Sequence, residues 1–299
     1  MADTSGMADI RGIDIDKLAK GFAEEDNLFK KFVTTTSTSA REIRWYQKTA
    51  GFLDTTDTSG ITASQIDNVA PLALPFVVEQ SWTRNTSYIR KYFVESPTLS
   101  DEDIRDSDVD ILATNVHDLT RAVARRVDAR IWDVMTESRV PVNINFINCD
   151  VLTESSGAWS DSTSNPINDI MLGKQKIRSY GYNPEGGVLF INSVTHKNLL
   201  TWLITTKGSS IPSFASEKMG SGVVQEILGL RVVVSENVTS DFGAIAQADR
   251  AVTWKQFVPI TAATINNIGI GTKIRVWEEG EALLTDPRAV CLLSGCGTA

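Results

Sequence analysis

Histidines, cysteines and clustered acids are the residues of this chain best suited to chemistry. The only two histidines are His117 and His196. Each falls in an expected helix, with no Cys or His three or four residues on. Neither therefore has a neighbour at the spacing a helical metal site uses. Asp106, Asp108 and Asp110 match the opening of a calcium loop. That loop then needs a glycine and, six residues later, a bidentate glutamate. Ile111 and His117 stand there instead, so the acids read as a helix start. Glu278, Glu279 and Glu281 gather around Gly280. Paired carboxylates can act as acid and base, but no nucleophile or second base accompanies them. They read as an acidic turn between strands.

Nucleophile and phosphate motifs are also missing. Gly173-Lys174 stands outside any phosphate-loop pattern, and Gly220-Ser221-Gly222 falls short of the nucleophile elbow. These residues point away from an enzyme and from any metal or cofactor. Cys149, Cys291 and Cys296 cannot form a complete disulfide set. A bond between Cys291 and Cys296 is conceivable, but buried thiols in a reducing compartment are the simpler reading. Asn85 and Asn237 head glycosylation-type triplets. With no secretory signal at the N-terminus, these are expected to be chance matches.

Arg121, Arg125, Arg126 and Arg130 lie along one side of an expected helix. They either pair within it, to Asp118, Asp128 and Asp133, or meet acidic groups on a neighbouring subunit or nucleic acid. The net charge of -8 argues against a broad grip on nucleic acid, because such surfaces collect Lys and Arg. The composition, 42% hydrophobic and 22% charged over 299 residues, allows one large domain or two smaller ones. The apolar run 71–78 is too short to span a bilayer, so no membrane segment is expected.

The elements that must position these residues follow from periodicity. The first thirty-odd residues read as an amphipathic helix on an arm, with a break at the Thr/Ser run 34–39. Residues 41–47 alternate as a strand. Residues 50–68 are polar and poor in apolar anchors, which predicts a two-stranded excursion needing support from outside its own domain. Strands 77–82 and 88–94 return from it. From Ser107 to Ser138, apolar residues recur at three- and four-residue steps with no Gly or Pro. That predicts a helix of roughly 48 Å at about 1.5 Å per residue. Residues 143–165 read as loop, and Asn165-Pro166 as a cap with an N1 proline. A strand at 188–191, a helix capped by Ser193, a loop at 208–222 and a strand at 230–234 come next. The end is β: 265–270, 273–277 and 289–293.

This order of parts resembles the major capsid proteins of tailed double-stranded-DNA viruses, the Hong Kong 97-type capsid fold. Gly-Leu-Arg-Val-Val-Val-Ser-Glu-Asn-Val at 229–238 and Asp-Pro-Arg-Ala-Val-Cys-Leu-Leu-Ser-Gly at 286–295 carry the likeness best. The resemblance implies an α+β fold with an N-terminal arm (1–38) and an extended β loop (39–86). It implies a peripheral domain (87–165) around a spine helix (107–138), an axial domain (166–255) and closing strands of the peripheral domain (256–299). It further implies self-assembly into hexamers and pentamers that form an icosahedral-type shell around packaged DNA, held without sequence-specific contacts. A separate scaffolding protein, a portal and other head proteins would be partners. The place would be the virion capsid, and the host cytoplasm during assembly. An encapsulin-like compartment shell shares the fold and is the nearest alternative; an α/β hydrolase is a distant third.

Overall fold

The computed structural model describes residues 19, 28–50, 70–74, 81–106, 111–139, 146–154, 157–161, 163–205 and 226–297. Most of the expected arm helix, the tip of the excursion, Asp108 and Asp110, and the loop 208–222 lie outside these residues.

The described residues build an α+β fold from two main sheets and a separate ribbon. In chain order the strands are β1 (Thr34–Ser37), β2 (Glu42–Ala50), β3 (Ser81–Tyr88), β4 (Arg90–Glu95), β5 (Leu99–Ser100), β6 (Ile147–Asp150), β7 (Val188–Ile191), β8 (Glu226–Ile227), β9 (Leu230–Val234), β10 (Phe242–Ala246), β11 (Val252–Asn267), β12 (Gly271–Leu284) and β13 (Val290–Ser294). The helices are α1 (Asp101–Asp106), α2 (Ile111–Met135), α3 (Val151–Glu154), α4 (Pro166–Ser179) and α5 (Ser193–Thr205). One sheet runs β1-β11-β12-β4, with β5 also on β12; a second runs β6-β13-β10-β7-β9-β8; β2 and β3 form the ribbon.

The apolar stripe read from the sequence is the buried face of α2. Its N-terminal half sets Val116 and Val123 against Ile260, Ala262, Ile274 and Val276 of the long β11–β12 hairpin. Its C-terminal half sets Val127, Ile131, Trp132 and Met135 against Phe29, Phe190, Ala246, Val252 and Leu284. This second cluster joins the two sheets, so α2 fixes one against the other. Each fully buried aliphatic side chain contributes about 1.5–3 kcal/mol. The described helix has 25 residues; 107–110 lie outside the described residues, and its C-terminal end at Met135 falls short of the expected Ser138. It ends where Glu137, Ser138 and Arg139 take left-handed backbone angles.

The central strands of the six-stranded sheet, β7, β10 and β13, are buried on both faces. Helices α4 and α5 cover one side, with Ile170, Ile177, Leu199 and Trp202 on Leu189, Ile191, Ile245, Cys291 and Leu293. Strands covered twice read as continuous apolar runs, as Val188–Ile191 and Val290–Leu293 do. Helix α4 sits close because Gly173 lets it: a Cβ there would lie 2.8 Å from Ile245 Cδ1. Close packing, not phosphate binding, accounts for that glycine.

Several expectations need correction. Residues 256–299 do not close one sheet. Strand β13 leaves the hairpin sheet and pairs with β10 and, in parallel, with β6, because its Val-Cys-Leu-Leu run needs cover on both faces. The supposed loop 143–165 contains β6 and α3. The Thr/Ser run is no mere break: as β1 it pairs in parallel with β11. The cap of α5 is Asn192, whose Oδ1 accepts from Val194 N–H at 2.9 Å, rather than Ser193. Asn165 does cap α4, accepting from Asn168 N–H at 3.4 Å.

Candidate functional site

The three glutamates misread as a turn are the centre of the molecule's most concentrated chemistry. Glu278, Glu279 and Glu281 lie inside β12, and all three are buried. The intervening Gly280 suggested a turn, but its role is steric. A Cβ there would lie 2.4 Å from Cζ2 of the Trp254 indole, so only glycine lets the Trp254 ring pack onto the strand.

A buried carboxylate is tolerated when it is paired, and the partners arrive from four elements. Lys30, in the 3-10 turn Phe29–Phe32, places Nζ 2.5 Å from Glu278 Oε1. Arg130 of α2 donates from Nε at 2.8 Å and Nη2 at 2.6 Å, both to Glu281 Oε1. Arg90, opening β4, sits 2.9 Å from Glu281 Oε2. Arg41, just before β2, sits 3.1 Å from Glu279 Oε2, and Lys91 3.8 Å from Oε1. The network thus ties arm, ribbon base, helix and hairpin together. Glu278 Oε2 has no hydrogen-bond partner among the described residues. Tyr92 lies beside the network, and its hydroxyl is pushed up to about 12 by burial first and by Glu281 second.

Asp128 forms a second anchor for the arm. It is buried in α2, where Oδ2 accepts from Leu28 N–H at 2.8 Å and Oδ1 from Lys30 N–H at 3.4 Å. Burial raises its carboxyl to about 6, against the lowering effect of the N–H donors and Lys30.

The arginines chosen from the sequence are not brought to one place. Arg130 turns inward to Glu281. Arg121, Arg125 and Arg126 are exposed, and the first two line an open groove of about 270 Å³ with Asp128, Glu236 and Asn237. The aspartates expected to pair with them face elsewhere: Asp128 toward the arm, Asp133 toward Arg139 at 3.6 Å, and Asp118 toward His117 at 3.5 Å. The sequence reading missed Lys30, Arg41 and Arg90, and gave Asp128 partners within its own helix rather than on the arm. The available signal was that both chain ends of the ribbon carry an arginine at its base, and β12 carries acids inside an apolar run.

The other candidates resolve simply. All three cysteines are free and buried. Burial pushes the Cys149 thiol up to about 11 and raises Cys291 and Cys296 as well, so none is a reactive thiolate. Both histidines are partly exposed on helices, and burial lowers His196. No group of three or more His, Cys, Asp or Glu among the described residues could hold a metal ion. No described helix is long and apolar enough to cross a membrane.

Nothing in this arrangement resembles a substrate pocket; it resembles a joint. Among the described residues, the ribbon β2–β3 is tied down by Arg41 and Arg90 at its base and, part-way along, by Gln47 Nε2 donating to the Leu284 carbonyl at 3.2 Å. Along the ribbon Tyr46, Trp82 and Tyr88 are exposed, and between its two strands Leu72 and Leu74 are fully so, at 107% and 93%.

Comparison with solved structures shows this fold in viral shells. The chain is similar to the virus-like particle from Pyrococcus furiosus, with a TM-score of 0.61 at 11% identity, covering 95% of this chain and 99% of that one. It is similar to a chain from Mycobacterium phage Che8, with a TM-score of 0.62 at 13% identity over 91% and 92%. It is also similar to the capsid of Cyanophage P-SCSP1u, with a TM-score of 0.63 at 11% identity over 91% and 89%. No curated protein matches it in sequence. Residues 98–293 match the sequence model of a family described as phage capsid protein. That stretch runs from β5 to β13 and holds the helix, the hairpin, both sheets' central strands and all three glutamates. The chain belongs to the phage capsid protein family.

Proposed function

We propose that this major capsid protein assembles into hexamers and pentamers of an icosahedral-type shell that encloses double-stranded DNA. The ribbon carries the reading. A two-stranded ribbon is marginal alone, and this one holds several large apolar side chains in water. Contiguous exposed apolar surface marks an interaction site, and a neighbouring subunit is the partner a closed shell supplies. Stability shared between subunits then makes up what the ribbon lacks by itself.

Residues 1–38 act as the N-terminal arm and 39–86 as the extended loop. The helix and hairpin serve as the peripheral domain, and the six-stranded sheet with α4 and α5 as the axial domain. Arg121, Arg125 and Arg126 meet a neighbour or the enclosed DNA, whereas Arg130 is committed to Glu281. The net charge of -8 suits a lining that faces DNA without gripping it. A separate scaffolding protein, a portal and other head proteins complete the particle, which assembles in the host cytoplasm. A compartment shell shares the fold, and the likeness to a virus-like particle keeps it as a second reading. Cargo peptide inside purified shells, in place of DNA, would favour it.

Electron microscopy of the purified protein tests the proposal. Capsomers or closed shells are expected; a compact monomer under every assembly condition would overturn it. Deleting residues 51–68 should leave a subunit that melts cooperatively but forms no shells. Loss of folding instead would show that the segment belongs to the core.

A further inference from the structure

Helix α2 stops before its sequence requires it to. Helical spacing continues through Ser138, and no Gly or Pro intervenes before Pro141. A proline disfavours the helical region only for the residue before it, here Val140, so Arg139 could still close the last turn. Instead the chain reverses hand. Glu137, Ser138 and Arg139 take φ of 46°, 55° and 66°. L-residues visit this region singly, because Cβ crowds the following carbonyl. Three in succession, none of them glycine, make a strained left-handed hook.

The hook is held from the six-stranded sheet. Arg139 Nη1 donates to Thr239 Oγ1 at 2.7 Å, and Thr239 lies in the connection between β9 and β10. That connection meets α2 at two further points. Asn237 Nδ2 donates to the Arg125 carbonyl at 3.3 Å, and Val238 packs in the cluster that holds Ile131, Trp132 and Met135. Within the hook, Arg139 N–H donates to the Thr136 carbonyl at 2.7 Å, and the Arg139 guanidinium faces Asp133 at 3.6 Å. Residues three and four apart are neighbours on a helix surface, and residues six apart are not. Continuing the helix through Arg139 therefore breaks the Asp133 pair as well as the Thr239 bond. It also sets Glu137 one turn from Asp133, a like-charge pair. Backbone strain favours the helix; Thr239 and Asp133 favour the hook.

We infer that residues 137–139 are a two-state latch: α2 stays hooked while Thr239 lies beside it, and grows through Arg139 when the β9–β10 connection withdraws. The latch goes beyond the shell reading and does not depend on it. In the released state the amides of Glu137, Ser138 and Arg139 donate to the carbonyls of Asp133, Val134 and Met135, the ordinary helical pattern. Each residue added extends the helix by about 1.5 Å. The length of α2 is thereby tied to the position of the six-stranded sheet along it.

Substitutions in the full chain, read by thermal melts and by hydrogen exchange with mass spectrometry, test both states. Ser138→Gly should raise the melting temperature by about 2 °C, because glycine takes a positive φ without crowding. A fall would mean that the right-handed helix is the resting state, where glycine is costly, and would overturn the inference. Thr239→Val keeps the side chain's shape and removes the acceptor. Exchange at 137–139 should then slow about ten-fold or more, as helical hydrogen bonds form. Arg139→Met removes the donor instead and should have the same effect. Adding Ser138→Gly to either variant should return exchange to the wild-type rate. Unchanged or faster exchange in either folded variant would mean that the freed segment frays into coil, which overturns the latch. Slowing that persists with Ser138→Gly would overturn it too, since relief of strain must restore the hook.

Discussion

Replacing Arg130 with alanine is expected to lower the stability of the unassembled subunit by about 3 kcal/mol. Removing one member of a buried ion pair costs roughly 3–5 kcal/mol, because the other charge stays buried without its partner. Here the stranded group is Glu281, with 3% of its side chain exposed. Two facts set the estimate at the lower end. Arg130 itself is 26% exposed, and Arg90 remains 2.9 Å from Glu281 Oε2. For a chain of this size, that loss corresponds to a melting-temperature drop of roughly 6–10 °C. Arg130→Met combined with Glu281→Leu should recover most of it, since apolar replacement of both partners removes the buried charge altogether. Thermal melts of the three proteins check the expectation. A drop below about 1 °C for Arg130→Ala would mean that water, not Arg130, satisfies Glu281.

Asp128→Asn should change the pH dependence of stability more than any other single substitution in the arm's anchorage. The Asp128 carboxyl titrates near 6 in the fold against an ordinary 3.8. A folded value above the unfolded one means that the protonated form is favoured by folding. The contribution is therefore fully present below about 3.8, falls as pH rises through 6, and is gone above that. At about 1.36 kcal/mol per pH unit, the charged form at pH 8 costs the fold about 3 kcal/mol relative to acid conditions. Lys30 lies beside this carboxylate and, with the backbone N–H donors, moderates the cost; Arg121, Arg125 and Glu236 line the groove that Asp128 also borders. The asparagine amide oxygen still accepts from Leu28 N–H. The variant should thus match the wild type near pH 4 and exceed it by about 2 kcal/mol at pH 8. Denaturant titrations at pH 4, 6 and 8 decide the matter. Parallel curves for the two proteins would show that Asp128 is not the titrating group.

Much of the architecture was legible because long-period patterns survive tertiary context. The stripe from Val116 to Val134 named the helix and its buried face. Alternation at 41–47 named β2, and Asn165-Pro166 named the start of α4. What escaped was set by contacts distant in sequence. β1 is a strand only because β11 lies beside it, and six residues of Thr and Ser say nothing of that partner. Glu278, Glu279 and Glu281 looked like a turn because buried carboxylates are rare without partners. Their partners sit as far as 248 residues away, in the case of Lys30. The placement of β13 escaped for a related reason. Its apolar run announces burial on both faces but not which sheet supplies the cover. The arginine row illustrates the converse: helical spacing placed four residues on one side, yet the sheet beneath reached only Arg130.

The pairing of β1 with β11 sets a timetable for synthesis. Thr34 finds its neighbour in Thr253, Glu95 in Arg275 and Ile147 in Cys291. Each early strand must therefore wait for a late one. At about 5–20 residues per second, roughly 10–40 s separate the emergence of β1 from that of its mate. Both sheets close only when the last strands leave the ribosome. Until then no subunit has a finished hairpin face or a clamped ribbon base, and half-made chains offer nothing for a growing shell to recruit.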